Sequence, residues 1–200
     1  VIPNKFAMET AIGICMGIGL AAACGFRVFV PLLVLSLGAN AGLVHLSHEM
    51  AWLSSSPAVI ALAVACIVEI AAYWVPSIDH ALDAIASPAA VVAGTLAATS
   101  QMGDMGPALT WVAGAVAGGT TAAAAQTMNV GARGVGTVAT AGIFNPFISA
   151  VQSVLSVVVS VLSIVVPVFA AVIGLGIMVF VVRKIARLVS SRPVGVNAAA

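Results

Sequence analysis

The sequence predicts an all-α, polytopic helical membrane protein, one membrane domain over residues 1–200. Three observations predict it. Hydrophobic residues make up 62% of the 200 residues and charged ones 6%, where an average soluble domain is about a quarter charged. The mean hydropathy is +1.21. The apolar residues also run continuously, rich in Ala, Val, Leu and Gly, whereas membrane barrel strands alternate apolar and polar over about ten positions. Seven Lys or Arg and six Asp or Glu are too few to cover a soluble domain of this size. They exclude a soluble globular enzyme, a disordered tail and a nucleic-acid binder, which needs a basic face.

A span takes about 20 apolar residues. The candidate runs are residues 10–38, 57–75, 88–99, 107–125, 137–163 and 166–182, about six spans. The third is short; the first and fifth are long and contain Gly and Pro. The first run continues past Gly25 to Gly38, which reads as a retained span rather than a cleaved leader. Between the second and third runs, Asp79 and Asp83 are four residues apart and share one face of a short amphipathic helix over 77–86. Cys15, Cys24 and Cys66 fall inside apolar runs and are odd in number, so free buried thiols are expected rather than a disulfide or zinc framework. Arg183, Lys184, Arg187 and Arg192 follow the last run, Lys5 precedes the first, and Arg133 stands in a loop predicted over 126–136. Cytoplasmic loops are enriched in Lys and Arg. Both termini are therefore expected in the cytoplasm, in a multi-pass arrangement in the inner (plasma) membrane.

Two stretches are alike. Gly19 and Gly25 lead to Phe26, Arg27 and Pro31; Gly136 and Gly142 lead to Phe144, Asn145 and Pro146. A looser pair sets Val68-Glu69 and Pro76 beside Val159-Ser160 and Pro167. Duplicated halves with interrupted helices are a recurring transporter design, with the site at the interruptions. In a chain this rich in Gly, Ala, Val and Pro, chance alignment is the competing explanation. Proline removes a backbone donor and clashes with the preceding turn, so Pro31 and Pro146 should kink or break their spans.

Three blocks carry a resemblance. The first is Gly25-Phe-Arg27 with Pro31. The second runs from Glu69 through Pro76, Asp79 and Asp83 to Pro88, with Gly94 beyond. The third is Gly142-Ile-Phe-Asn145-Pro146. Together they resemble an uncharacterised family of small bacterial integral-membrane proteins, a domain of unknown function. The resemblance implies a multi-span helical fold and no particular reaction. It also implies an acid shortly after Asn-Pro in some relatives; here Gln152 and serines stand there.

Glu69 is the acid set well inside a predicted span, the thirteenth of nineteen residues. An ionisable group costs about 2.5–3.5 kcal/mol at a bilayer centre and is a functional candidate by default. Glu69 fits a proton site, a cation ligand or a structural ion-pair partner of Arg27. Arg27 and Asn145 adjoin the predicted breaks and are candidates to bind an ion or solute. Asp79 and Asp83 fit a cation vestibule, with solvation and helix capping as the plainer reading. Ser149, Ser153, Ser156, Ser160 and Ser163 repeat at spacings of 4, 3, 4 and 3. They share one helix face, which suits either a polar pathway or close helix packing. The pairs Gly13/Gly17 and Gly114/Gly118 suit packing. His45, His48 and Glu49 could align on a helix, but they lack the order of a zinc protease motif, and the metal question stays open.

No nucleophile, phosphate loop or nucleotide fingerprint is present, so neither catalysis nor a cofactor is expected. The partners expected are the lipid bilayer and either further copies of the chain or a larger membrane complex, with no nucleic acid. The function expected is a small transporter or channel for an ion or small solute, with Glu69 as proton or cation site. The alternative is a structural or accessory subunit of a membrane complex.

Overall fold

The computed structural model of the chain describes residues 5–73, 79–103, 106–140 and 143–190, with side chains described from 8 to 73, from 84 and up to 187 within those stretches. Among them the fold is all helical, with no strand. The helices are α1 (Lys5–Cys24), α2 (Phe29–Asn40), α3 (Ser56–Ala72), α4 (Asp79–Thr99), α5 (Pro107–Ala113), α6 (Thr120–Thr140), α7 (Asn145–Val165) and α8 (Pro167–Ser190). A 3-10 segment, His48–Ser54, precedes α3, and a π-helical turn, Gly114–Gly119, joins α5 to α6.

Among the described residues three helices are long and apolar enough to cross a membrane: Pro107–Thr140, Asn145–Val165 and Pro167–Arg187. A fourth is reached if the segment before α3 and α3, bent by 68°, count as one span. Met8–Cys24, Phe29–Asn40 and Ala84–Thr99 are shorter apolar helices. Outward faces carry Val157, Val161, Phe169, Val172 and Phe180, an apolar surface that water does not tolerate at this extent.

α1 is the central helix, packed against α8, α4, α7 and α6. Its C-terminal stretch, Leu20 to Cys24, is fully buried. Lipid tails are as apolar as Leu, so helices in a bilayer associate through close packing of small residues, and Ala-Ala-Ala-Cys-Gly allows it. Glycines make the tightest seams. A Cβ at Gly17 would lie 3.0 Å from the Ala98 Cα. One at Gly118 would collide with the carbonyl oxygen of Gly94. Gly17, Gly114 and Gly118 therefore serve packing against α4, and Gly13 packs on the Gln101 backbone just beyond its end.

The helix boundaries depart from the apolar runs in three places. The run over 10–38 is two helices, parted at residues 25–28. The break is made at Gly25, where a Cβ would strike Ala125 and the backbone of residues 122 and 126. Pro31 is the third residue of α2, where its missing N–H costs nothing because the first turn has no carbonyls to bond. Of the short helix expected over 77–86, the described part from Asp79 on forms one helix with the run over 88–99, α4, which passes through Pro88. The loop expected over 126–136 is helical, and so is the start of the run over 137–163: α6 continues to Thr140 and α7 begins at Asn145. Dense polar residues imitate a loop in sequence. Here they form the inward face of a helix, with Gln126, Asn129 and Arg133 all buried.

Candidate functional site

The break at residues 25–28 brings a charged residue into the middle of the bundle. Arg27 follows Gly25 and Phe26, and its side chain is 1% exposed. Its Nε donates to the Ser153 hydroxyl at 3.0 Å, and its Nη2 donates to the Ser149 carbonyl at 2.9 Å and to the Ser149 hydroxyl. The guanidinium also lies over the Tyr73 ring, 4.3 Å from the centroid. Arg133, from α6, stacks on the same ring at 3.9 Å and donates to Gln152 Oε1 through Nε and Nη2 at 3.0 and 2.6 Å. Two guanidiniums thus share one aromatic ring, an arrangement a water-poor interior strengthens.

Glu69 supplies the opposite charge, though not by direct pairing. Its Oε1 accepts the Val28 amide at 2.7 Å and its Oε2 accepts the Phe29 amide at 3.1 Å. These are the amides that open α2, and no side chain of α2's own N-terminus caps them. A carboxylate from α3 therefore does in space what an N-cap residue does in sequence, satisfying orphan donors at the positive end of the helix. The Arg27 and Arg133 charges remain within electrostatic reach of it. Of the three readings of Glu69, the direct ion pair with Arg27 gives way to this arrangement, in which the break's amides occupy both carboxylate oxygens.

The break also leaves donors without acceptors. Nη1 of Arg27 is buried with no hydrogen-bond partner, as is Nε2 of Gln126. Asn129 donates to the Phe26 carbonyl at 3.3 Å and to Gln126 Oε1 at 3.4 Å, which engages the oxygen of the Gln126 amide and not its Nε2. A buried donor left unsatisfied costs about 1–3 kcal/mol, and such groups call for an explanation.

The remaining candidates distribute around this centre. Ser149 and Ser153 bind Arg27. Ser156 donates to the Ala23 carbonyl at 3.1 Å, and Ser160 donates to the Ser156 carbonyl at 2.6 Å. Ser163 bonds back to Val159 at 2.7 Å and lies where a Cβ on Gly19 would fall. The stripe therefore divides, with Ser149 and Ser153 in the polar cluster and Ser156 and Ser163 in close contact with α1. Asn145 opens α7 and donates to Thr137 at 3.0 Å, joining the end of α6 to the start of α7. Gly142 lies outside the described residues, as do the side chains of Asp79 and Asp83 in the first turns of α4. Among the described residues no three His, Cys, Asp or Glu gather as a metal site. Glu49, near His45 and His48, accepts the Trp111 indole at 2.8 Å. The three cysteines are free.

Over residues 14–187 the chain matches a family described as a domain of unknown function, DUF4126. The chain belongs to this family. DUF4126 assigns a shared fold and no activity, and no curated protein and no solved structure matches the chain. The geometry supplies a reason for two of the blocks singled out in the sequence. The Gly-Phe-Arg block is the break and its guanidinium, and the Glu opening the second block is the carboxylate that caps the break. Gln152, where the resemblance sets an acid, is the acceptor for Arg133. Tyr73, Gln126, Asn129 and Arg133 were not singled out as site residues from the sequence. The last three stand at spacings of 3 and 4, a helical signal hidden by reading the stretch as a loop.

Proposed function

We propose that the protein is a small membrane transporter or channel for an ion or small solute. Its site is the break between α1 and α2, and Glu69 is its proton or cation site. The observation that carries this reading is a fully buried Arg27 beside a helix interruption, with donors left unsatisfied, inside an apolar helical bundle. Irregular backbone is tolerated at membrane depth where it is buried in protein or lines a cavity, and interrupted helices hold substrates and coupling ions in many transporters. Protonating Glu69 would weaken its hold on the Val28 and Phe29 amides and so couple a proton to the geometry of α2. The protein sits as a multi-pass chain in a bacterial plasma membrane with both termini in the cytoplasm, on the weight of Arg183, Lys184 and Arg187 beyond the last span.

One observation favours a second reading, a structural or accessory subunit of a membrane complex. Both Glu69 oxygens already accept backbone amides, a sufficient role for a carboxylate that holds two helices together. Flux measured on the full chain in liposomes, across ions and pH, separates the two. The transport reading expects flux in the native protein and its loss in a folded Glu69→Gln variant. Undiminished flux in that variant removes Glu69 from the mechanism, and the absence of any flux in the native protein favours the accessory role.

A further inference from the structure

We infer that the break at residues 25–28 binds a small monovalent anion, held between the Arg27 guanidinium and the Gln126 side-chain amide. The inference rests on the transporter reading only for its purpose; the site itself stands on the unsatisfied donors. Both donors come from side chains at most 4% exposed. Nη1 of Arg27 and Nε2 of Gln126 lack any acceptor. Both belong to the same neighbourhood. The Gln126 backbone amide lies against Gly25, and Asn129, one turn on, donates to the Phe26 carbonyl beside Arg27.

The chemistry of what is missing follows from the atoms. Two unsatisfied donors, one of them cationic, outweigh the one unsatisfied acceptor of the same cluster, Asn129 Oδ1, so the absent partner offers acceptors and negative charge. A cation would meet N–H groups and be repelled. The nearest carboxylate does not fill the role, because the oxygens of Glu69 are taken by the Val28 and Phe29 amides. An anion held by a charged guanidinium and an oriented amide makes charge-assisted hydrogen bonds, the stronger class.

A second feature gives the anion a way in. A groove of about 400 Å³ runs between α4 and α6, lined by Ser87, Pro88, Val91, Ala123, Gln126 and Thr127. Gln126 therefore belongs both to the groove and to the polar cluster. Pro88 lies inside α4 at the groove's wall.

The test is thermal unfolding of the full chain in detergent, titrated with sodium chloride, nitrate or bicarbonate against sodium gluconate at constant ionic strength. The expected result is a saturable rise in the unfolding midpoint with at least one small anion and none with gluconate. Arg27→Gln should abolish the rise, and Gln126→Leu, which leaves every Arg27 contact in place, should weaken the apparent affinity at least about tenfold, the effect of one hydrogen bond to a charged ligand. A native protein with no saturable response overturns the inference, and so does an unchanged affinity in folded Gln126→Leu. Saturable binding without flux in liposomes upholds the anion site and removes the transport reading instead. Cation flux with no anion response does the reverse.

Discussion

At the scale of single residues, the determining event is that Glu69 meets backbone amides rather than a guanidinium. Glu69→Gln keeps one carbonyl oxygen but turns the other position into an N–H₂ facing an N–H donor. The expected loss is about 1.5–3 kcal/mol, the worth of a hydrogen bond to a charged group, read from unfolding in detergent. The partner's identity has a sharper consequence. If Glu69 served only to neutralise Arg27, replacing both by apolar residues would restore most of the stability. Here the Val28 and Phe29 amides stay without acceptors whatever stands at 27, so the double replacement should remain destabilised; full recovery would contradict the capping role. Tyr73 offers a parallel test. Its ring carries the guanidiniums of Arg27 and Arg133, and desolvated cation–π contacts are worth about 2 kcal/mol. Tyr73→Leu should therefore destabilise clearly more than Tyr73→Phe, which keeps the ring. Equal effects would show that the stacking contributes little.

At the scale of elements, glycine has two opposite meanings in this chain. Gly118 lies in the π-helical turn against the backbone of Gly94 and the side chain of Ala98. Gly118→Ala forces two helices apart and should cost about 1–3 kcal/mol, as overpacking does. Gly131 sits inside α6 with open space where a Cβ would go. Gly131→Ala should be neutral or stabilise by up to about 1 kcal/mol through helix propensity alone. The unfolding midpoint should fall for Gly118→Ala and stay or rise for Gly131→Ala, and a comparable loss in both would refute the packing account of Gly118. The same reasoning explains the interruption of α1. Gly25 brings the chain so close to α6 that a side chain cannot fit, and the helix ends there rather than at Pro31, which α2 absorbs in its first turn.

At the scale of the whole molecule, polarity is arranged inside out relative to a soluble domain. Arg27, Arg133, Gln126, Asn129, Gln152 and four of the five stripe serines are buried, while Val, Ile, Leu and Phe cover much of the surface. Such a molecule is stable where its surroundings are apolar and its polar groups find one another. The proposed orientation rests on the basic residues at the end of α8, where Arg183, Lys184 and Arg187 are exposed. The basic residue counted toward a cytoplasmic loop, Arg133, is buried in the cluster and carries no weight in that balance. Cysteines introduced at His45 and at Ser191 test it. A membrane-impermeant thiol reagent applied from outside should label the first and spare the second, and labelling at Ser191 would reverse the assignment.

The sequence by itself determined the class of molecule, because hydropathy and charge are summed properties that no tertiary detail alters. It also determined that Gly25-Phe-Arg27 and Glu69 matter, since a charge in an apolar run is costly wherever it points. Even the serine spacing on α7 was legible, because a repeat of 4 and 3 fixes a helix face without knowledge of the neighbours. What only the tertiary structure decided is who partners whom. That Glu69 caps α2, that Arg27 and Arg133 share Tyr73, and that Ser156 and Ser163 meet α1 depend on residues far apart in sequence, 133 positions for Ser156 and Ala23. The misread stretch over 126–136 has the same cause. Its polar residues look like a loop until α7 and the break between α1 and α2 supply the partners that let them be buried, and burial of paired polar groups is a property of the fold, not of the segment.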